Sequence, residues 1–122
     1  MPEENKETDI YLVVEVMPEF PNGLKALFDF IYDNLKYPSD AIEKGIQGRV
    51  TVGVVIDENG SVTQPKILKS ISSSLDKEAL RIVSIMPKWK PGTQDGVPVK
   101  VKCTFPVIFK LPNNDDLKTD SL

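Results

Sequence analysis

A chain of 122 residues, 40% hydrophobic and 27% charged, is long enough to bury one core and short for two domains of ordinary size. A net charge of −3, with both signs interspersed, argues against a nucleic-acid binder, which would carry a basic stripe. The single cysteine, Cys103, excludes an intrachain disulfide, and the lack of histidine removes the commonest general base and metal ligand.

Residues 1–9 are polar and charged and are expected to form a disordered lead-in. No run approaches the roughly 18 apolar residues of a membrane span. Residues 10–16 are apolar and β-branched and predict a short strand, after which Pro18 and Pro21 bracket a turn. Asn22 can cap a helix over 23–36, with Leu24, Leu27, Phe28, Ile31 and Leu35 forming one apolar stripe. Pro38 stops that helix. Ser39 can cap a short second one over 40–44, closed by Gly45 in the left-handed position. Residues 49–56 alternate with period two, so Val50, Val52, Val54 and Ile56 share a face and Val55 lies on the other, where a charge should be mild. Asn59-Gly60 signals a hairpin, and Pro65 interrupts the return strand over 61–69.

Ser72, Ser73 and Ser74 offer N-caps for a helix over 75–86 with a buried stripe of Leu75, Ala79, Ile82, Val83 and Met86. Asp76 and Glu78 suit its macrodipole and are expected to be solvated. Pro87 ends it, and Pro91-Gly92 and Asp95-Gly96 mark a turn-rich connection. The last strand is predicted over 97–109, with the odd-numbered residues from Val97 to Phe109 on one face and Lys100, Lys102 and Thr104 on the other. Residues 112–122 have little to bury and are expected to be a disordered tail, which leaves 10–111 as the domain. The expected fold is therefore α+β: a small antiparallel sheet of three main strands, with residues 10–16 as an N-terminal edge strand, and two helices packed on one face.

Several elements together resemble the TonB C-terminal domain family. They are Tyr37-Pro38-x-x-Ala41, Gly45-Ile46-x-Gly48-x-Val50, the Asp57-Glu58-Asn59-Gly60 turn, and Leu75-Asp76-x-Glu78-Ala79-Leu80. Trp89-x-Pro91-Gly92, Gly96-x-Pro98-Val99 and Phe105-Pro106-Val107-x-Phe109 follow in the same order, so that the resemblance covers about residues 34–110. Met17-Pro18-Glu19-Phe20-Pro21-Asn22-Gly23 looks like the lead-in of Bacteroidetes-type members. The resemblance implies a periplasmic peptide-binding domain, the soluble part of an inner-membrane-anchored energy transducer. Such a domain engages the TonB box of an outer-membrane TonB-dependent receptor by β-strand addition and drives active transport. It implies an inner-membrane motor of the ExbB/ExbD type acting through N-terminal regions this chain lacks, and no cofactor. A related domain sits on membrane zinc-peptidase sensors, so a signalling or assembly module is the alternative.

The final strand is the best candidate site, since strand addition needs an edge with free main-chain groups, and Pro106 cannot donate to a ladder. The residues the resemblance assigns to the peptide are Val99, Lys100, Val101, Lys102, Cys103, Thr104 and Phe105, with Asn34 and Tyr37 beside them. The plain alternative is an ordinary edge strand, a fraying helix end at Asn34, and Tyr37 and Trp89 covering one end of the core. Exposed edges also predict a concentration-dependent homodimer. Asp57-x-Asn59-Gly60 begins like a calcium loop, but its twelfth position is Leu68, and no other metal pattern is present. Cys103 has no histidine partner, and no nucleotide or hydrolase motif occurs, so no catalytic residue is assigned.

Overall fold

The computed structural model describes residues 9–112; the expected lead-in and tail fall, but for Asp9 and Pro112, outside the described residues. The elements in chain order are β1 (Ile10–Tyr11), α1 (Leu24–Asn34), α2 (Ser39–Lys44), β2 (Gly48–Ile56), β3 (Val62–Lys69), α3 (Ser73–Ser84), β4 (Gly92–Gln94) and β5 (Val97–Phe109). Each predicted helix and main strand is present. The caps differ in part. Gly23, not Asn22, caps α1, with no side-chain hydrogen bond, and Asn22 itself takes φ 70. Pro38 rather than Ser39 precedes α2, while Ser72 caps α3 by accepting from the Leu75 N–H.

The sheet order is β1-β5-β2-β3, with β4 folded back on β5. β2 and β5 pair antiparallel without interruption from Gly48↔Phe109 to Ile56↔Val101. β3 completes the other side of β2 through a ladder broken by two register shifts. The N-terminal strand is shorter than predicted and pairs parallel to β5, Ile10 with Lys100 and Tyr11 with Val101. Beyond it the chain turns to clasp the β4 region. Val16 and Thr93 exchange both main-chain hydrogen bonds, as do Glu19 and Lys90. Glu15 adds bonds to Gln94 Oε1 and the Asp95 N–H. β4 is absent from the sequence reading because its three residues carry no alternation.

The core lies between the helices and one sheet face: Leu27 and Ile31 of α1, Ala41 of α2, Leu75, Ala79, Ile82 and Val83 of α3, and alternate residues of β2 and β5. Leu24, predicted in the buried stripe, is instead 69% exposed. Val55 corrects the period-two expectation in the other direction, being only 5% exposed although it faces away from the helices. Its neighbours in register are Thr63 and Lys102, and a central strand so flanked loses water on both faces. Gly60 explains why the β2–β3 turn carries glycine. It has φ +84, and an added Cβ would lie 2.0 Å from the Trp89 carbonyl oxygen. Its own carbonyl accepts from the Trp89 N–H at 2.8 Å, pinning the turn to the loop after α3. Asp57 shapes the turn from within, its Oδ1 accepting from the Asn59 and Ser61 N–H groups.

Candidate functional site

In an antiparallel pair, successive residues alternately point N–H and C=O at the partner strand and away from it. On β5 two observations fix the phase. Pro106, opposite Thr51, has no N–H to give, and the Ile108 N–H donates away from β2, to Tyr32 Oη on α1 at 3.2 Å. The even-numbered residues of β5 therefore turn their main chain outward, and Val101, Cys103 and Phe105 turn theirs toward β2.

The outer side is not open throughout. β1 covers residues 100–101, whereas β4 pairs with residues 97–99 from the side that faces β2, since Thr93 gives both its main-chain bonds to Val16 and leaves Val97 and Val99 to bond β4. At the far end Tyr32 closes the edge at Ile108. Between β1 and Tyr32 the edge is uncovered by strand or helix over residues 102–107, with Thr104 as the central outward donor. The predicted stretch thus divides: Val99 turns its main chain to β4 on the inner side, Lys100 and Val101 lie beside β1, and Lys102 and Thr104 present main chain at the open part.

Beside this opening runs a groove of ≈ 510 Å³ lined by Leu12, Met17, Pro18, Leu24, Leu27 and Phe28 on one side and residues 102–106 on the other, with Trp89 beneath. Leu24, Phe28 and Tyr32 recur every four residues of α1, and the last two stack at 6.4 Å. Leu24 and Phe28 were expected in the buried stripe; Tyr32, which joins them on a more exposed face, was not read from the sequence. The signal was present, since a residue four along from Leu24 and Phe28 must share their face. A second, shallower depression of ≈ 380 Å³ continues the line past Tyr32, between Leu35, Tyr37, Ile108 and Lys110. Lys102 and Lys110 are the charged groups lining the two depressions.

Tyr37 is accordingly near the edge, set edge-on to Phe109 at 5.5 Å, its hydroxyl donating to the Ile46 carbonyl. Burial raises its pKa. Asn34 is turned elsewhere. Its Nδ2 donates to the Phe30 carbonyl and its own carbonyl accepts from Arg81, on the α3 side. Cys103 is half-buried against the core, and burial pushes its thiol above the usual range, so it is a neutral, unactivated group. Trp89 is 7% exposed, packed between Phe20 and Phe105, and serves the core as well as the groove floor.

A further depression, of ≈ 650 Å³, lies elsewhere, between the α1–α2 connection and α3. It has no strand edge, and its central charges are committed to each other. Glu78, expected to be solvated, is 8% exposed and accepts from Arg81 through both oxygens and from the Lys36 N–H. Burial alone would raise the Glu78 pKa, but these hydrogen bonds outweigh it and hold the carboxyl below its ordinary value. The brace ties α1 to α3. Among the described residues no group of three or more His, Cys, Asp or Glu could hold a metal, and no helix is long and apolar enough to cross a membrane.

The TonB_C family, described as the Gram-negative bacterial TonB protein C-terminal, matches residues 33–111. The chain belongs to this family. Protein TonB of Vibrio cholerae is 34% identical over 79 residues, covering 62% of this chain and 31% of that protein's length. The chain thus spans under a third of that relative. The solution structure of the TonB C-terminal domain of Helicobacter pylori, residues 179–285, superposes with a TM-score of 0.56 at 25% identity, covering 72% of this chain and 79% of that one. The Pseudomonas aeruginosa TonB C-terminal domain gives 0.51 at 28% identity, covering 65% and 80%. The match agrees with the resemblance read from residues 34–110, and the α+β fold is that of these TonB domains.

Proposed function

We propose that this domain takes up an extended peptide from the plug segment of an outer-membrane receptor by strand addition to β5. In this reading it is the periplasmic part of a TonB-like energy transducer, coupled through further N-terminal regions to an inner-membrane motor of the ExbB/ExbD type, and it works by binding and pulling rather than by catalysis. The observation that carries the reading is the uncovered outer edge at residues 102–107 beside the apolar groove. An added strand would satisfy the outward main-chain groups there, and its alternate side chains would enter the groove between Leu24, Phe28 and β5. The outward residues of β5 itself contribute little beyond charge.

Amide NMR titration with plug-segment peptides from receptors encoded beside the protein tests this. Shifts concentrated on residues 100–106 and on Leu24, Phe28 and Tyr32 are the expected result. Saturable binding with shifts confined to Val62–Lys69 would place the ligand on the opposite sheet edge and refute it. Failure of every such peptide to bind would favour the sensor-module alternative.

A further inference from the structure

Part of the edge that strand addition would use is already occupied by the chain itself. Ile10 and Tyr11 lie parallel on β5 at Lys100 and Val101, directly beside the open residues 102–107. Leu12, the next residue, overhangs the groove and lines it. The segment is an extended apolar strand seated on the strand-addition site in cis.

Its seat is poor by three separate measures. The pairing is two residues long and parallel, the weaker ladder. Ile10, Leu12 and Val13 remain 42%, 68% and 78% exposed, so little apolar area is gained by closing. The Tyr11 hydroxyl is buried with no hydrogen-bond partner, which costs free energy in the closed position and would be relieved by opening. A few residues later the same segment is held firmly. Val14 is 7% exposed, and Glu15, Val16 and Glu19 are bonded to Gln94, Asp95, Thr93 and Lys90. Gly92 lets this clasp approach, since an added Cβ there would meet Pro18 and Val101 at 2.9 Å. A loosely seated end joined to a fixed root is a strap that can lift without unfolding the domain.

From this we infer that residues 10–13 form an autoinhibitory strap. The strap occupies the start of the β5 edge and the mouth of the groove, and an incoming extended apolar peptide must displace it. The apparent affinity for any such peptide is then reduced by the fraction of molecules in which the strap is lifted. The inference rests on the strand-addition reading for what the freed edge takes up from outside, but not for the strap's own seating and release.

The test uses the full chain and two probes. One is a synthetic peptide with the sequence of residues 9–15 of this protein; the other is a receptor plug-segment peptide. Tyr11→Pro removes the ladder N–H and the buried hydroxyl together, and Ile10→Asp is a second variant at an exposed position should the first disturb folding. Released variants should keep a cooperative melt and shift the amides of residues 99–102. They should bind both peptides about tenfold more tightly than the wild type, as expected if the strap is lifted in about a tenth of molecules. The self-peptide should map to residues 100–104. Equal or weaker binding of the self-peptide by the released variants would overturn the strap. So would equal affinity of wild type and variants for the receptor peptide, while leaving the proposed function standing. Tighter binding of the self-peptide with no binding of any receptor peptide would uphold the strap and sink the receptor reading instead.

Discussion

The two outer edges of this sheet are guarded in different ways. The β3 edge is blunted by its own covalent structure. Pro65 lacks a donor, Gln64 sits at φ 50, two register shifts twist the strand, and Lys66 and Lys69 are exposed on it. The β5 edge carries a proline too, but otherwise it is regular, and it is covered by other parts of the chain: β1 and Tyr32. Irregularity closes an edge for good. A cover made of separate segments can leave a gap, and part of it can move. The contrast gives a physical reason why the ligand edge should be β5.

The strand between the two edges sets the scale for both. Val52→Asp would bury an unpaired carboxylate between sheet and helices, costing more than about 4 kcal/mol and abolishing the cooperative melt. Val55→Asp should also destabilise measurably, by about 2–3 kcal/mol, since its face is dry as well. Equal losses in thermal melts would mean that the helices add nothing to one face over the other.

Proline separates the two directions of the β5 main chain. Val107→Pro removes a donor that points at β2 and a buried side chain, and should cost about 3 kcal/mol or more. Thr104→Pro removes an outward donor, so it should cost only about 1–2 kcal/mol while weakening peptide binding at least about tenfold. A Thr104→Pro variant as unstable as Val107→Pro would show that the phase of the ladder is reversed.

Acid should loosen the β5 side before the β3 side. Glu78 has its pKa held down in the fold, so its contribution is complete above the ordinary value of 4.5 and is lost as the pH falls through the folded value below it. The brace it makes with Arg81 and Lys36 fixes the end of α1, from which Tyr32 reaches Ile108. Glu78→Gln should cost about 1–2 kcal/mol near neutral pH and flatten this part of the acid dependence. Amide exchange at Ile108 should quicken below pH 4.5 ahead of exchange in β3; simultaneous change would deny the link.

The smallest effect concerns the blunted edge. Pro65→Val with Lys66→Val would restore a donor and remove a charge, and should promote weak self-association visible by light scattering at high concentration. Affinity for a peptide on β5 should not change. Loss of that affinity would show that the two edges are coupled.

Much of this was legible in the residues, and for stateable reasons. β5 was read with its observed bounds because thirteen residues of alternation lie between two turn signals. β2 and α3 were similarly marked by strong periodicity and prolines. The α1 cap was misplaced because Asn22 is itself left-handed and passes the role to Gly23. Glu78 looked solvated because a helix position near the N-terminus favours a carboxylate, and nothing local announces that Arg81 and the Lys36 N–H will enclose it. The edge was overestimated for the same kind of reason. Whether residues 100–101 are covered depends on β1, more than 80 residues earlier. Pairings across such separations are tertiary facts, and periodicity records only which face each strand will bury.

The place of β5 in the chain has a consequence for how the domain comes into being. It is the last described element, yet it touches the first strand, the central strand and its own preceding hairpin partner. Gly48 must wait for Phe109, and Ile56 for Val101, before the sheet has its second half. During synthesis or passage through a narrow pore, β2 and β3 can form only a hairpin with one naked flank, and α1 has little to rest on. Closure of such distant pairs is slow relative to helix formation. A nascent chain that has not yet released β5 is therefore expected to expose that flank. A chain truncated before residue 105 should remain in that open state and seek a strand from another molecule.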